Sequence, residues 1–176
     1  SVPATDLEEI LARNCHISDT ARAARFCRQA EQARYFCKDI HYPDVPLHTP
    51  TFDTTLLSAH IRPGHVMLID CWASWCGPCR AAIPAVKALY DKYDRDRFDV
   101  ISISLDSKKE DWQKALEEEK MPWPQFIAGN RGYEQLTLRY NINSIPNLIL
   151  IDDKGQVVCN TFSPEEISIE LEEILR

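Results

Sequence analysis

The spacing of apolar positions divides this chain in two. In the first forty residues apolar side chains recur at helical intervals. Leu7, Ile10 and Leu11 follow a capping-box pattern at Thr5–Glu8. From about Asp19 to Ile40 one face reads Phe26, Ala30, Ala33, Cys37, Ile40, surrounded by Arg22, Arg25, Arg28 and Arg34. Two helices joined near His16, Ile17 and Ser18 are predicted, packed through that stripe on whatever follows. Tyr42-Pro43-Asp44-Val45-Pro46 then breaks the helix and reads as a linker.

Beyond the linker, short apolar runs alternate with amphipathic stretches. Val66–Cys71 reads as a buried strand and Gly77 to about Tyr93 as a helix, with Pro84 removing one backbone donor and kinking it. Phe98–Leu105 is a strand whose only polar interruptions after Asp99 are serines. Ser107–Glu110 caps a helix that ends before Met121-Pro122. Gln125–Ala128 is a short strand, and Arg131–Tyr140 a helix carrying Tyr133, Leu136 and Tyr140. Asn147–Ile151 and Gln156–Thr161 flank the turn Asp152-Asp153-Lys154-Gly155. Ser163-Pro164-Glu165-Glu166 opens a last helix with a cap, a proline and acidic residues in its first turn. This order predicts an α/β fold, a central mixed β-sheet flanked by helices. The boundaries are residues 1–45 for a helical N-terminal extension and linker, and 46–176 for the main domain. Strands buried on both faces explain the weak period-2 signal.

With 176 residues and 44% apolar content, one domain with an appendage can bury a core. A net charge of −7 argues against nucleic acid and against anionic membrane surfaces as partners. No apolar run approaches the ~18 residues of a bilayer-spanning helix. Ser1 rather than Met opens the chain, as it would after removal of a signal or anchor. Seven cysteines suit an oxidising compartment better than a reducing one, which points to an extracytoplasmic location, periplasmic or in the cell envelope.

The chemistry concentrates at Trp75-Cys76-Gly77-Pro78-Cys79, just after the first long apolar run. Two cysteines two residues apart can close a disulfide ring. At a helix start the unpaired N–H groups and the dipole favour a thiolate at Cys76, which makes it the exposed nucleophile, while Cys79, one turn deeper, resolves the mixed disulfide. A thiolate beside a second thiol suffices for disulfide exchange. The bland readings are a zinc half-site or inert buried thiols. Zinc needs two further ligands, no second Cys-x-x-Cys exists, and the histidines at 16, 41, 48, 60 and 65 all fall outside the strand–turn–helix unit. No metal and no organic cofactor is expected. Asp70 is a carboxyl at the end of an apolar strand, costly there without a partner or a purpose. It is either a proton relay for Cys79 or a group that reaches solvent.

The run Asp70–Arg80 resembles the active-site segment of thioredoxin, and Ser144-Ile145-Pro146-Asn147 the cis-proline loop of that superfamily. With Val100–Asp106, Met121-Pro122-Trp123 and Asn143–Pro146, the stretch from His65 to Arg176 is similar to the TlpA/ResA-like branch of extracytoplasmic thiol–disulfide oxidoreductases. The resemblance implies a thioredoxin fold. It also implies exchange of the Cys76/Cys79 pair with protein disulfides or dithiols, in the reductase direction, with a partner electron donor. It makes Ile145–Pro146 a cis bond that leaves the Ile145 backbone open to an extended substrate, with Trp75, Gly77 and Pro78 lining the approach. Three departures stand out: Ala82 where many members carry Glu, Cys71 where most carry Phe, and a segment from Leu47 to His65 unlike the usual hairpin ahead of the catalytic strand. The competing class is a non-catalytic thioredoxin-like binding module for an envelope partner.

The remaining cysteines keep several readings. Cys27 and Cys37 on one helix are about 15 Å apart along its axis, beyond the ~7 Å that a disulfide spans. Cys15 could reach Cys27 across a helical hairpin, or all three could be buried thiols or a second redox site. Cys71 and Cys159 read as buried strand residues.

Overall fold

The computed structural model describes residues 42–176. The helices expected over 1–40 and the pairing of Cys15, Cys27 and Cys37 lie outside the described residues. Seven strands form one mixed sheet: β1 (Pro46–His48), β2 (Thr54–Leu56), β3 (Val66–Trp72), β4 (Phe98–Ser104), β5 (Gln125–Ile127), β6 (Asn147–Ile151) and β7 (Val157–Thr161). Their order across the sheet is β2-β1-β5-β4-β3-β6-β7. Strand β3 runs parallel to β4, which runs parallel to β5; the other pairings are antiparallel. The helices of the described residues are α1 (Gly77–Lys92), α2 (Lys109–Glu119), α3 (Gly129–Tyr140) and α4 (Pro164–Ile174), with a 3-10 turn at Leu57–His60.

Strand β3 is central, and all seven of its residues are buried. Its side chains alternate between two cores, as the pleat requires. Val66 and Leu68 join Val86 and Leu89 of α1 and Ile167 and Leu171 of α4. Met67, Ile69 and Cys71 join Leu136 and Tyr140 of α3 on the opposite face. A third cluster gathers Trp72, Ala73, Cys76, Cys79 and Ile83 with Trp112 and Ala115 of α2. Burying a Leu or Ile side chain is worth about 1.5–3 kcal/mol, so this double burial is what anchors the end of β3.

Most predicted elements appear within two residues of their expected ends, and three differ in detail. Helix α2 has Lys108, not Ser107, at its N-cap, and no side chain caps it; Glu110 and Asp111 in its first turn face the positive end of the dipole instead. The atypical stretch from Leu47 to His65 does contain a hairpin, β1–β2, with strands of three residues each. Cys159, expected to be buried, is half-buried because β7 is an edge strand. At the start of the described chain the Tyr42 amide donates to the Gly155 carbonyl at 2.9 Å, and the Tyr140 hydroxyl donates to the Pro43 carbonyl at 2.6 Å. Asp44 accepts from the Ser58 amide at 2.9 Å and its hydroxyl at 2.7 Å. The stretch read as linker is therefore stitched onto the sheet.

Gly132 on α3 lets that helix lie against β1. A Cβ there would sit 2.5 Å from the backbone oxygen of Pro46. Alanine would favour an isolated helix by about 1 kcal/mol, but the obstructing atom is backbone and cannot swing aside. Gly132→Ala should therefore destabilise the protein by about 1–3 kcal/mol in urea unfolding. An unchanged or raised midpoint would show that β1 yields freely.

Candidate active site

Helix α1 begins at the two cysteines. Cys76 is its N-cap, with extended backbone, and its Sγ accepts a hydrogen bond from the Cys79 amide at 3.2 Å. Gly77 and Pro78 fill the first turn, where a missing proline N–H matters least. Cys79, Ile83, Val86 and Leu89 form the buried stripe that holds the helix on the sheet. Cys76 and Cys79 are disulfide-bonded, with an S–S distance of 2.03 Å. Cys76 was expected to be the exposed sulfur. In the closed pair it is 5% exposed against 3% for Cys79, so exposure does not separate them. The cap position does: the helix amide points at Cys76 Sγ, where a negative charge is favoured. Arg80, beside Cys79 in sequence, is engaged by Glu118 at 2.8 Å and Glu119 at 2.5 Å.

Trp75 is 70% exposed and is no core aromatic. It borders a groove of about 370 Å³ with Leu105, Tyr133, Ile142, Asn143, Ser144 and Ile145. The Ile145–Pro146 peptide is cis, as the resemblance implied. The loop from Ile142 to Pro146 thus lies across from Trp75, and Ile145 also packs against the cluster holding both cysteines. Gly77 fronts open space. Of the residues singled out from sequence, the structure gathers Trp75, Cys76, Gly77, Pro78, Cys79 and Ile145 at the start of α1 and the groove beside it.

Asp70 sits below this surface, on the same face of β3 as Leu68 and Trp72, and is buried. Its Oδ2 accepts from the Ser102 hydroxyl at 2.8 Å. Burial raises its pKa to about 6, and the Ser102 hydrogen bond partly opposes that rise. Cys71, on the opposite face, is pushed far up by burial and by the Asp70 charge, which leaves an inert thiol.

A second buried carboxylate escaped the sequence reading. Asp106, just past β4, accepts from the Ser74 amide at 2.9 Å, the Ser74 hydroxyl at 2.6 Å and the Ser104 hydroxyl at 2.6 Å. It pins the turn that delivers Trp75 and Cys76. An acidic residue at the end of an apolar strand was the available signal, the same one that drew attention to Asp70. Ser102, the hydrogen-bond partner of Asp70, gave no signal of its own.

The profile of a family described as thioredoxin-like matches residues 64–157, which span β3, α1 and the cis-proline loop. The chain belongs to the thioredoxin-like family. It is 26% identical over 133 residues to the thiol-disulfide oxidoreductase ResA of Geobacillus kaustophilus, covering 71% of this chain and 75% of that protein. It is 33% identical over 128 residues to nucleoredoxin of Xenopus laevis, covering 70% of this chain but 29% of that one. Among solved structures, a thiol-disulfide oxidoreductase from Bacteroides fragilis superposes with a TM-score of 0.68 at 25% identity. That match covers 76% of this chain and 98% of the other. The family context and the bonded Cys76–Cys79 pair together fit a redox-active site. Among the described residues no three His, Cys, Asp or Glu side chains group as a metal site, and no helix is long and apolar enough to cross a membrane.

In this thioredoxin-like domain the Asp106 clip should matter for both stability and the active-site turn. Asp106→Asn places an NH2 group against a donor and loses at least one buried hydrogen bond. A stability loss of about 2 kcal/mol is expected in urea, with faster amide exchange at Ser74 and Trp75. Wild-type exchange at those amides would show that the turn holds without the carboxylate.

Proposed function

We propose that the chain is a protein thiol–disulfide oxidoreductase working as a reductase on disulfides of extracytoplasmic clients, with Cys76 as nucleophile and Cys79 as resolving thiol. The observation that carries this reading is the pair itself: two bonded sulfurs at a helix start, one of them the N-cap, beside an open groove. In the reduced form Cys76 thiolate attacks one sulfur of the client disulfide, and the other client sulfur leaves as a thiolate. Cys79 then loses its proton, and its thiolate attacks Cys76 Sγ in the mixed disulfide. The second client sulfur departs, and the Cys76–Cys79 bond forms. Two electrons have passed to the client, and a partner dithiol must return them. Trp75, Gly77, Pro78, Ile145 and Pro146 form the surface on which an extended client segment lies. Asp70 is the base for Cys79: buried, on the face of β3 that α1 covers, and titrating near the operating pH. The cysteine count, together with the resemblance to the ResA-like branch, supports a place outside the cytoplasm.

Cys76→Ser should abolish the acceleration of insulin reduction by dithiothreitol over the uncatalysed rate, and Cys79→Ser should accumulate mixed disulfides with client. The Gly-Pro dipeptide between the cysteines implies a potential near the ~−270 mV of thioredoxin. A value above about −180 mV would mark an isomerase or oxidant, and absence of turnover with an intact dithiol would mark a binding module.

Asp70 makes a separate expectation about stability. Its folded pKa of about 6 lies above its ordinary value of 3.8, so the folded protein keeps this proton longer than the unfolded chain. The penalty is absent below about pH 4, grows between the two values and is complete above pH 6, at roughly 3 kcal/mol. Asp70→Asn should stabilise the fold by about 1–3 kcal/mol at pH 7.5 and not at pH 4, while slowing release of the mixed disulfide near pH 7. Equal release rates in the two proteins would mean that water, not Asp70, deprotonates Cys79.

A further inference from the structure

The surroundings of Asp70 contain a hydrogen-bonded chain with only one possible direction. Trp123 Nε1 lies 2.8 Å from Ser102 Oγ, and Ser102 Oγ lies 2.8 Å from Asp70 Oδ2. All three residues are buried. An indole N–H can only donate, so Ser102 Oγ is the acceptor in the first contact. A serine hydroxyl has one proton, and its other neighbour is Met121 Sδ at 3.9 Å, a weak acceptor. The proton therefore points at Asp70. Donor follows donor along the chain, each bond polarising the next, and the chain ends on a carboxylate oxygen.

We propose that Trp123 and Ser102 are positioning residues that keep buried Asp70 in its ionised form and occupy its Oδ2, leaving Oδ1 as the oxygen that takes up a proton. The assignment rests on the role given to Asp70 above and adds the device that makes that role possible at neutral pH. Among the described residues no cation acts on Asp70, Lys109, Lys114 and Lys120 included: burial and the Ser102 hydrogen bond are the influences on it. Strands β3 and β6 and helix α4, all packed around this site, carry no Lys or Arg. On β4 the other charged residue is Asp99, which is paired with Arg62. The cations of α1 are engaged elsewhere: Arg80 with Glu118 and Glu119, Lys87 with the Glu119 carbonyl, Lys92 with Glu172. The segment Met121-Pro122-Trp123-Pro124 has no charge. Cys71, on the opposite face of β3, is the titratable group whose own pKa the Asp70 charge shifts, and Cys79 lies bonded in the neighbouring cluster with Trp72 and Met121. Two neutral donors in series thus stand where a positive charge would otherwise be needed. Burial pushes the carboxyl up and Ser102 pulls it down. Removing a hydrogen bond to a charged group should move the titration by about one to two pH units.

The test is a carbon-13 carboxyl titration of the full chain labelled at aspartate with the Cys76–Cys79 disulfide closed, where no Cys79 proton competes, and it reads Asp70 without any need for turnover. Ser102→Ala should raise the Asp70 midpoint by one unit or more. Trp123→Phe, which keeps an aromatic ring against Tyr90, should raise it by a smaller amount and gives the same readout if Ser102→Ala does not fold. An Asp70 midpoint that stays put or falls in either folded variant overturns the proposal. The pH profile for release of the mixed disulfide is the second measurement. Its midpoint should rise in step with the carboxyl, and Ser102→Ala should have no effect on it in an Asp70→Asn background. A carboxyl that shifts while the release profile does not would support the positioning pair and overturn Asp70 as the base for Cys79.

Discussion

Strand β3 lies between β4 and β6 with every residue buried, so the single carboxyl it carries is withdrawn from bulk water but for a 5% residual exposure. That one constraint organises the site. A carboxylate in an apolar strand is tolerated only with hydrogen-bond donors, and the parallel register with β4 supplies one by setting Ser102 directly beside Asp70. The same burial that makes Asp70 costly suits it to the proposed role of base. A carboxyl with its ordinary pKa would be too weak a base to deprotonate a thiol at neutral pH, and one titrating near 6 is better matched.

The sheet also decides where the sulfurs stand. Strand β3 ends at Trp72, and the chain must reverse within four residues to start α1 at Gly77. Asp106, arriving from the parallel neighbour β4, takes both hydrogen-bonding groups of Ser74 and fixes that reversal. The antiparallel strand β6 begins at Asn147, so its preceding loop, with Ile145 and Pro146, reaches the same end of the sheet. Three chain segments distant in sequence converge because two run parallel and one antiparallel. The resulting surface is divided: the sulfurs sit inside the packed cluster with Trp72 and Trp112, while Trp75 stands out in solvent above the groove. Under the proposed function, the groove beside Trp75 is the path by which a client approaches Cys76.

Much of this was legible from sequence, for reasons that can be located. Cys76, Cys79 and Pro146 declare themselves through local chemistry and through resemblance, and Asp70 through the incongruity of a charge in an apolar run. Long elements were legible because their apolar stripes are long; β1 and β2 were not, because three residues carry no period. Ser102 and Trp123 were visible only as part of a family-like segment. Their meaning comes from strand register and from a contact across 21 residues, which no local pattern encodes. The Asp106 clip fails to show for the same reason, since Ser74 is 32 residues away. A helix-start position does not by itself give Cys76 access to solvent. A bonded pair draws both sulfurs into one packed cluster.

Asp70 and Cys79 are coupled by more than proximity in the fold. When the pair is bonded, Cys79 has no proton to give, and Asp70 titrates under burial, which raises its pKa, and the Ser102 hydrogen bond, which lowers it. In the proposed mechanism the reduced Cys79 thiol on α1 gives its proton to the carboxyl on β3, and ionising either would then disfavour ionising the other. Their protonation steps then belong to the pair rather than to either residue. The redox state of the sulfurs therefore changes the proton affinity of the carboxyl. By linkage, the protonation of the carboxyl changes the stability of the disulfide by the same amount. A donor chain that biases Asp70 toward its ionised form accordingly acts on the thiol–disulfide balance as well as on the rate of resolution, without touching either sulfur.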